Sequence, residues 1–134
     1  MEARADREAV LARERRWALP VALMTLLAIG LAVVSTVIVG PVSGDGEAEV
    51  LRSAHEHSSA VTVSGILRAL AFALLAAPLV YLFRATQARS PKVRGQLIGL
   101  VIAAPLFLSV ASVLNAVKTN EAASDFVAGK ARAD

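Results

Sequence analysis

The chain has 134 residues, of which 56% are hydrophobic, only 19% are charged and none is cysteine. Soluble domains of this size carry about 45–50% apolar and about 25% charged residues, so this composition excludes a disordered chain, a disulfide scaffold and an ordinary soluble enzyme. The pI of about 10.0 would suit a nucleic-acid partner, but the basic residues flank long apolar segments instead of forming one patch. We therefore expect no nucleic-acid partner.

A charged arm, residues 1–17, opens the chain and mixes both signs of charge with alanine. Such a mixture predicts a solvated helix that leads to the membrane surface. Trp17 ends the arm, at the position where an aromatic residue commonly anchors a helix at the membrane interface.

Three apolar segments, residues 18–40, 61–83 and 96–117, are long enough to cross a bilayer. At about 1.5 Å per residue, each extends about 33–35 Å, against a hydrocarbon core of about 30 Å. The first is longer than the about 7–15 residues of a signal-peptide core, so we interpret it as an uncleaved anchor. The sequence predicts an all-α transmembrane bundle, residues 18–117, with three spanning helices and short amphipathic flanking helices.

The segment between the first two spans, residues 41–60, begins with turn-forming residues and becomes helical in pattern from Glu47. Because no helix breaker follows, one continuous helix from Glu47 to Phe83 is predicted. His55 and His57 lie two positions apart and would diverge on a helix, and two ligands are too few for a closed zinc site. We therefore expect no metal and no other cofactor.

The tail, residues 118–134, follows the third span. Asn120 is predicted to cap a short helix of its own there. This pattern resembles the segment that follows the first span, which leads into another span. Two expectations stay open: a protein with three spans, or a chain that stops before a fourth.

The basic residues are unevenly divided between the two sides of the predicted membrane domain. The arm and the loop 84–95 together carry nine, whereas the segment 41–60 and the tail together carry four. The positive-inside rule therefore predicts a multi-pass protein of the plasma or inner membrane with a cytoplasmic N-terminus. The loop could also contact anionic lipid headgroups. The candidate residues for those contacts are Arg84, Arg89, Lys92 and Arg94.

One stretch of the chain carries a family resemblance. The segment Ser64–Arg84, SGILRALAFALLAAPLVYLFR, with Ala85–Pro91, ATQARSP, resembles uncharacterised multi-span membrane proteins of GC-rich bacteria. The resemblance covers about a fifth of the chain. It implies a bacterial inner-membrane protein, commonly with a fourth span, and supplies no activity.

Arg68 is the one charged residue inside a predicted span, about 10 Å from the nearer end of the helix. A charge at the centre of a span costs about 2.5–3.5 kcal/mol, so Arg68 is expected either to extend to the interface or to meet polar groups at its own depth. Such groups could act as structural contacts between helices or form an anion-attracting cluster. The candidate members are Ser35, Thr36, Ser109, Ser112 and Asn115.

Small residues recur every fourth position in the spans, which lets helix backbones approach closely. In the second span the row is Gly65, Ala69, Ala73 and Ala77, and we predict a helix–helix interface there. Ala71 lies off this row, so we expect Ala71→Leu to weaken association less than Ala69→Leu or Ala73→Leu. The other two spans carry similar rows: Ala28, Ala32, Thr36 and Gly40 in the first, and Gly95, Gly99, Ala103 and Ala111 in the third.

No acid, base, nucleophile or metal set accompanies these features in the sequence, which favours a protein that is not an enzyme. We expect a structural or accessory membrane subunit whose partners are the lipid bilayer and other membrane helices, either a second copy or another subunit. The alternative is a small oligomeric transporter or channel in which Arg68 attracts anions.

Overall fold

The computed structural model describes residues 2–40, 42, 44–89 and 95–131. It contains four helices, and a short 3-10 turn at Gly95–Leu97 precedes the last of them. The described residues contain no strand, so the prediction of an all-α fold is confirmed. The helices are α1 (Glu2–Val39), α2 (Glu47–Glu56), α3 (Ser58–Arg89) and α4 (Ile98–Ala131).

Three of the helices are long and apolar enough to cross a membrane. The apolar helical stretches are Arg15–Val39, Ser58–Arg89 and Gly95–Gly129, each of which contains one of the predicted spans for most of its length. Both charged flanks are continuous with their spans, because α1 includes the arm from Glu2 and α4 includes most of the tail. Of the predicted flanking helices, only α2 is a separate short helix.

The three long helices form a layer with α3 in the middle. α3 packs extensively against both α1 and α4, whereas α1 and α4 have little contact with each other within the described residues. Successive long helices are antiparallel, since the beginning of the apolar part of α1 (Trp17 to Met24) lies beside the end of α3, and the start of α3 lies beside the later part of α4. The layer therefore has two ends of different composition.

The prediction of one helix from Glu47 to Phe83 is wrong, because the helix is interrupted at His57. The backbone of His57 leaves the helical region, with φ −110° and ψ 32°. Its ring Nδ1 lies 3.0 Å from the carbonyl oxygen of Ser53, one turn earlier. This interruption lets α2 pack against α4 while α3 continues against both of its neighbours.

The prediction of a separate tail helix capped by Asn120 is also wrong. Asn120 lies inside α4, which runs without interruption from Ile98 to Ala131. No proline or glycine occurs between Pro105 and Gly129, so nothing in the local sequence stops the helix. At 34 residues, α4 is about 51 Å long and therefore extends well beyond a hydrocarbon core of about 30 Å.

A small apolar core joins α2, the beginning of α3 and the later part of α4. Ala54 of α2 and Ala123 of α4 have no exposed surface, and Val61 and Ala116 complete the cluster. Leu51 and Val42 cover its sides. We call this region, with residues 47–61 and 116–129, the α2 end of the layer.

A close turn precedes α2. A Cβ atom at Gly44 would lie 2.7 Å from the Cβ of Glu49, so this position has no room for a side chain. The carboxylate of Glu49 accepts a hydrogen bond of 3.1 Å from the backbone N–H of Asp45. Together these contacts fix the entry into α2, which has acidic residues in its first turn, as the helix dipole favours.

Candidate functional site

The face of α3 that packs against α4 is built from small residues. Gly65 is buried, and a Cβ atom there would lie 2.5 Å from the Cβ of Ala116 and 3.3 Å from the carbonyl oxygen of Ser112. Ala69, one turn further on, is also buried. The close approach of α3 and α4 therefore depends on the absence of a side chain at residue 65.

The predicted row on α3 is used only in part. Ala73 is half-buried and Ala77 is exposed, so the close contact between α3 and α4 is lost toward Ala77. A straight row of residues four apart drifts around a helix with 3.6 residues per turn, which moves its later members away from the partner.

A second buried face of α3 was missed by the sequence prediction. Ser64, Ala71 and Pro78 are buried at intervals of seven residues, about 100–140° around the helix from Gly65. They face away from the α4 contact, and α1 is the other helix packed on α3. Ala71 is only 3% exposed, less than Ala69 at 7%, which argues against the expectation that leucine at residue 71 has the milder effect.

The matching stripe on α1 is narrow. Ala28 and Ser35 are almost completely buried and again lie seven residues apart. The hydroxyl of Ser35 donates to the carbonyl oxygen of Ala32 at 2.7 Å, which satisfies the polar group within its own helix. Ala32 and Thr36, which belong to the predicted row, are exposed. A spacing of seven suits two helices that cross at a small angle.

Several other small residues of α1 and α4 face outward, although Ala111 of the predicted row is half-buried. Gly99, Ala103 and Gly30 are exposed, and a Cβ atom at either glycine would meet no atom within 4 Å. Most large apolar side chains of α1 and α4 are exposed as well, including Leu100 and Phe107. The outer sides of the layer are therefore apolar surfaces with small residues among them.

Arg68 lies between the two packed faces of α3, about 60° around the helix from Gly65, and its side chain is half-buried. Among the described residues it has no hydrogen bond or ion pair. Two of its candidate partners, Thr36 and Ser112, donate their hydroxyls to the carbonyl oxygens of Ala32 and Leu108. Like Ser112, Ser109 is half-buried, whereas Asn115 is exposed. The polar cluster around Arg68 stays a prediction.

Asn120 makes a polar contact that the sequence prediction missed. Its Nδ2 donates to Thr62 Oγ1 at 2.8 Å and to the carbonyl oxygen of Ser58 at 3.3 Å. Both acceptors belong to the first turn and a half of α3, so Asn120 joins α4 to α3 close to His57. The signal available in the sequence was an amide four residues after Ala116, on the same face of α4.

The opposite end of the layer contains a pocket of about 700 Å³ between α1 and α3. We call this region, with residues 15–24, 76–89 and 95–102, the basic end. Trp17 and Arg84 stand in the pocket wall, and Ile102 of α4 closes one side. The remaining lining residues are Pro20, Val21, Met24, Ala76, Ala77, Val80, Tyr81, Ala85 and Ala88.

Two of the four predicted headgroup residues lie at or near this pocket. Arg84 and Arg89 are exposed on the last turns of α3, and Arg15 and Arg16 are exposed on α1 directly before Trp17. The other two candidates, Lys92 and Arg94, lie outside the described residues.

Comparison with protein-family models, with curated proteins and with solved structures finds no match to this chain.

Proposed function

We propose that this chain is a multi-pass protein of the plasma or inner membrane, with its N-terminus in the cytoplasm, that acts as a non-enzymatic structural or accessory subunit. Its outer helices, α1 and α4, would dock against other membrane helices, either of a second copy or of another subunit. The supporting features are three helices of spanning length and an uneven distribution of basic residues.

The observation that carries the proposed role is that small residues occur both at a contact inside the layer and on its outer surface. Inside it, Gly65 allows contact between α3 and α4. On its outer side, Gly99 and Ala103 present the same spacing with no described neighbour close to Gly99. Because small residues four apart favour close helix association in lipid, the outward row on α4 is the proposed docking surface.

A pair of glycine substitutions tests this role. Gly99→Leu should weaken the assembly, because the added side chain holds the partner helix away, while the fold of the chain itself stays unchanged. Gly129→Leu is the matched control, since a Cβ atom there also meets no atom within 4 Å and the residue lies beyond the predicted span. Native mass measurement in mild detergent reports the size of the complex.

A complex that Gly99→Leu reduces to the free chain, with Gly129→Leu unaffected, supports the proposal. A parent protein that is already a single copy with no partner contradicts it, and so does equal behaviour of the two variants.

The proposed orientation has its own test, since the chain contains no cysteine. Gly46→Cys and Ala12→Cys each place one thiol at an exposed position on opposite sides of the first span. An impermeant maleimide should label residue 46 in intact cells and residue 12 only after lysis. The reverse pattern would contradict a cytoplasmic N-terminus.

An oligomeric anion pathway through Arg68 is the second candidate. It is favoured by the half-buried position of Arg68 in the groove between the two packed faces of α3. Chloride flux into proteoliposomes should then fall with Arg68→Leu and be partly kept by Arg68→Lys. Flux at the level of empty liposomes for the parent protein would exclude this candidate.

A further inference from the structure

We propose that the pocket at the basic end binds one anionic phospholipid from the adjacent leaflet. The acyl chains would occupy the apolar space between α1 and α3, and the phosphate would lie against Arg84. This inference rests on the proposed placement of the chain in a membrane, but it does not depend on the orientation or on the identity of any protein partner.

The lining of the pocket fits hydrocarbon. Apart from Trp17, Tyr81 and Arg84, every lining residue is alanine, valine, isoleucine, methionine or proline. Its volume of about 700 Å³ lies within the range of about 300–1,000 Å³ that is typical of ligand sites. In a membrane such a space is filled by lipid chains or by another helix, because water has few polar partners along these walls.

The dimensions favour lipid over a helix. A helix about 10 Å in diameter would fill a space of this volume with fewer than two turns. A second copy or another subunit would therefore meet the pocket through a short contact only. Flexible acyl chains can follow an irregular wall made of α1, α3 and the single α4 residue Ile102.

The charges at the mouth select the headgroup. Arg84 lines the pocket, and Arg15, Arg16 and Arg89 are exposed at the same end of the layer. The sequence from residue 84 to 95 has four basic residues and no acidic one. A guanidinium forms paired hydrogen bonds with phosphate oxygens, and the positive charge of Arg84 in the pocket wall favours an anionic headgroup over a zwitterionic one.

Trp17 makes the site directly measurable, because it is the only tryptophan in the chain and lies in the pocket wall. The purified protein is reconstituted in phosphatidylcholine vesicles that contain a fixed fraction of lipid with brominated acyl chains, either phosphatidylglycerol or phosphatidylcholine. Bromine quenches tryptophan fluorescence at short range, so the quenching reports which lipid lies beside Trp17. Co-flotation with the vesicles reports membrane insertion separately.

Brominated phosphatidylglycerol should quench Trp17 with an apparent affinity about fivefold above that of brominated phosphatidylcholine, as one basic residue beside a headgroup predicts. Arg84→Gln should bring the two lipids close to equal. Arg52→Gln is the matched control, because it removes the same charge from an exposed position at the α2 end, away from the pocket lining, and it should keep the preference.

Equal quenching by both lipids in the parent protein would overturn the site while leaving the membrane placement intact. An equal loss of preference in Arg84→Gln and Arg52→Gln would also overturn it, since the preference would then follow the overall charge of the protein and not the pocket. Weak quenching of Trp17 by both lipids, in vesicles that still carry the protein, would also overturn the lipid site. It would show that a helix of a second copy fills the pocket and shields Trp17. Failure to float with the vesicles would instead contradict the proposed membrane placement itself.

Discussion

The two ends of the helical layer are held in different ways. At the α2 end, Ala54 and Ala123 are fully buried, and Asn120 bonds α4 to the first turns of α3. At the basic end, the helices leave a pocket of about 700 Å³ whose wall includes Trp17 and Arg84. Small side chains and one polar contact close the first end, whereas at the second end α1 and α3 do not close on each other and the pocket remains between them.

The difference shows how tight packing and open surface coexist in one short chain. Gly65 and Ala71 allow α3 to be approached on two faces near the α2 end. Toward the basic end the same helix carries the larger residues Tyr81, Arg84 and Arg89, and a neighbouring helix cannot pack closely on the faces that they occupy. We therefore expect substitutions of α3 to lose their effect progressively from Gly65 toward Ala77.

The largest effect is expected for Gly65→Leu. A Cβ atom at this position is already 2.5 Å from that of Ala116, so a larger side chain must separate α3 from α4. Overpacking of this kind typically costs about 1–3 kcal/mol, occasionally more, which a thermal melt in detergent would detect. Gly30→Leu serves as control, because its Cβ has no neighbour within 4 Å and the melt should stay unchanged.

A slightly smaller effect is expected for Ala71→Leu, on the face that packs against α1. The residue is only 3% exposed, so the added atoms must displace α1 at a cost of about 1–3 kcal/mol. The same melt should rank it beside Ala69→Leu. A melt equal to that of the parent would mean that α1 does not pack on this face of α3.

Asn120→Leu should have a moderate effect, because it removes the hydrogen bonds to Thr62 and Ser58. Side-chain hydrogen bonds between membrane helices contribute about 0.6 kcal/mol on average and up to about 1.7 kcal/mol. Reversible unfolding in mixed micelles would measure the change. Asn115→Leu is the matched control on α4, since Asn115 is exposed and should contribute nothing measurable to the free energy of unfolding.

The smallest effect is expected for Ala77→Leu. Ala77 is exposed in the wall of the pocket, so a larger side chain can extend into free space. The free energy of unfolding should change by less than about 0.5 kcal/mol. A loss as large as that of Gly65→Leu would show that the basic end is closed in the membrane and that the pocket does not exist there.

The sequence predicts the parts of this fold that depend on local composition. Three spans follow from hydropathy, because no other backbone arrangement of that length satisfies its hydrogen bonds in lipid. The helical row at Gly65 and Ala69 follows from residue size. The interruption at His57 could not be predicted, since it depends on α2 packing against α4, which no local pattern encodes. The burial of Ala71 could not be predicted either, because a single row of small residues does not reveal that α3 has two partners.

For the candidate sites, too, the residue types could be predicted from the sequence but their partners could not. The basic residues were visible in the sequence as a charge pattern, but their position beside an apolar pocket depends on how α1 and α3 separate near Trp17. The sequence identified Asn120 as a helix-capping residue type. Because α4 continues past it, Asn120 instead donates hydrogen bonds from the middle of α4 to α3. A residue's chemistry can be taken from the sequence, whereas its partner is set by tertiary packing.

The central claim is that α3 lies between α1 and α4, and paired cysteines test it most directly because the chain has none of its own. Gly65→Cys with Ala116→Cys places two thiols across the α3–α4 contact, where a Cβ at residue 65 would lie 2.5 Å from that of Ala116. A disulfide needs about 3.8 Å between Cβ atoms, so a small separation of the helices suffices.

The control pair, Ala28→Cys with Ala116→Cys, places the thiols on α1 and α4. After mild oxidation in membranes, intact mass after alkylation should show the first pair linked within one chain and the second pair free. An unlinked first pair, or equal linkage of both pairs, would contradict this arrangement of the helices.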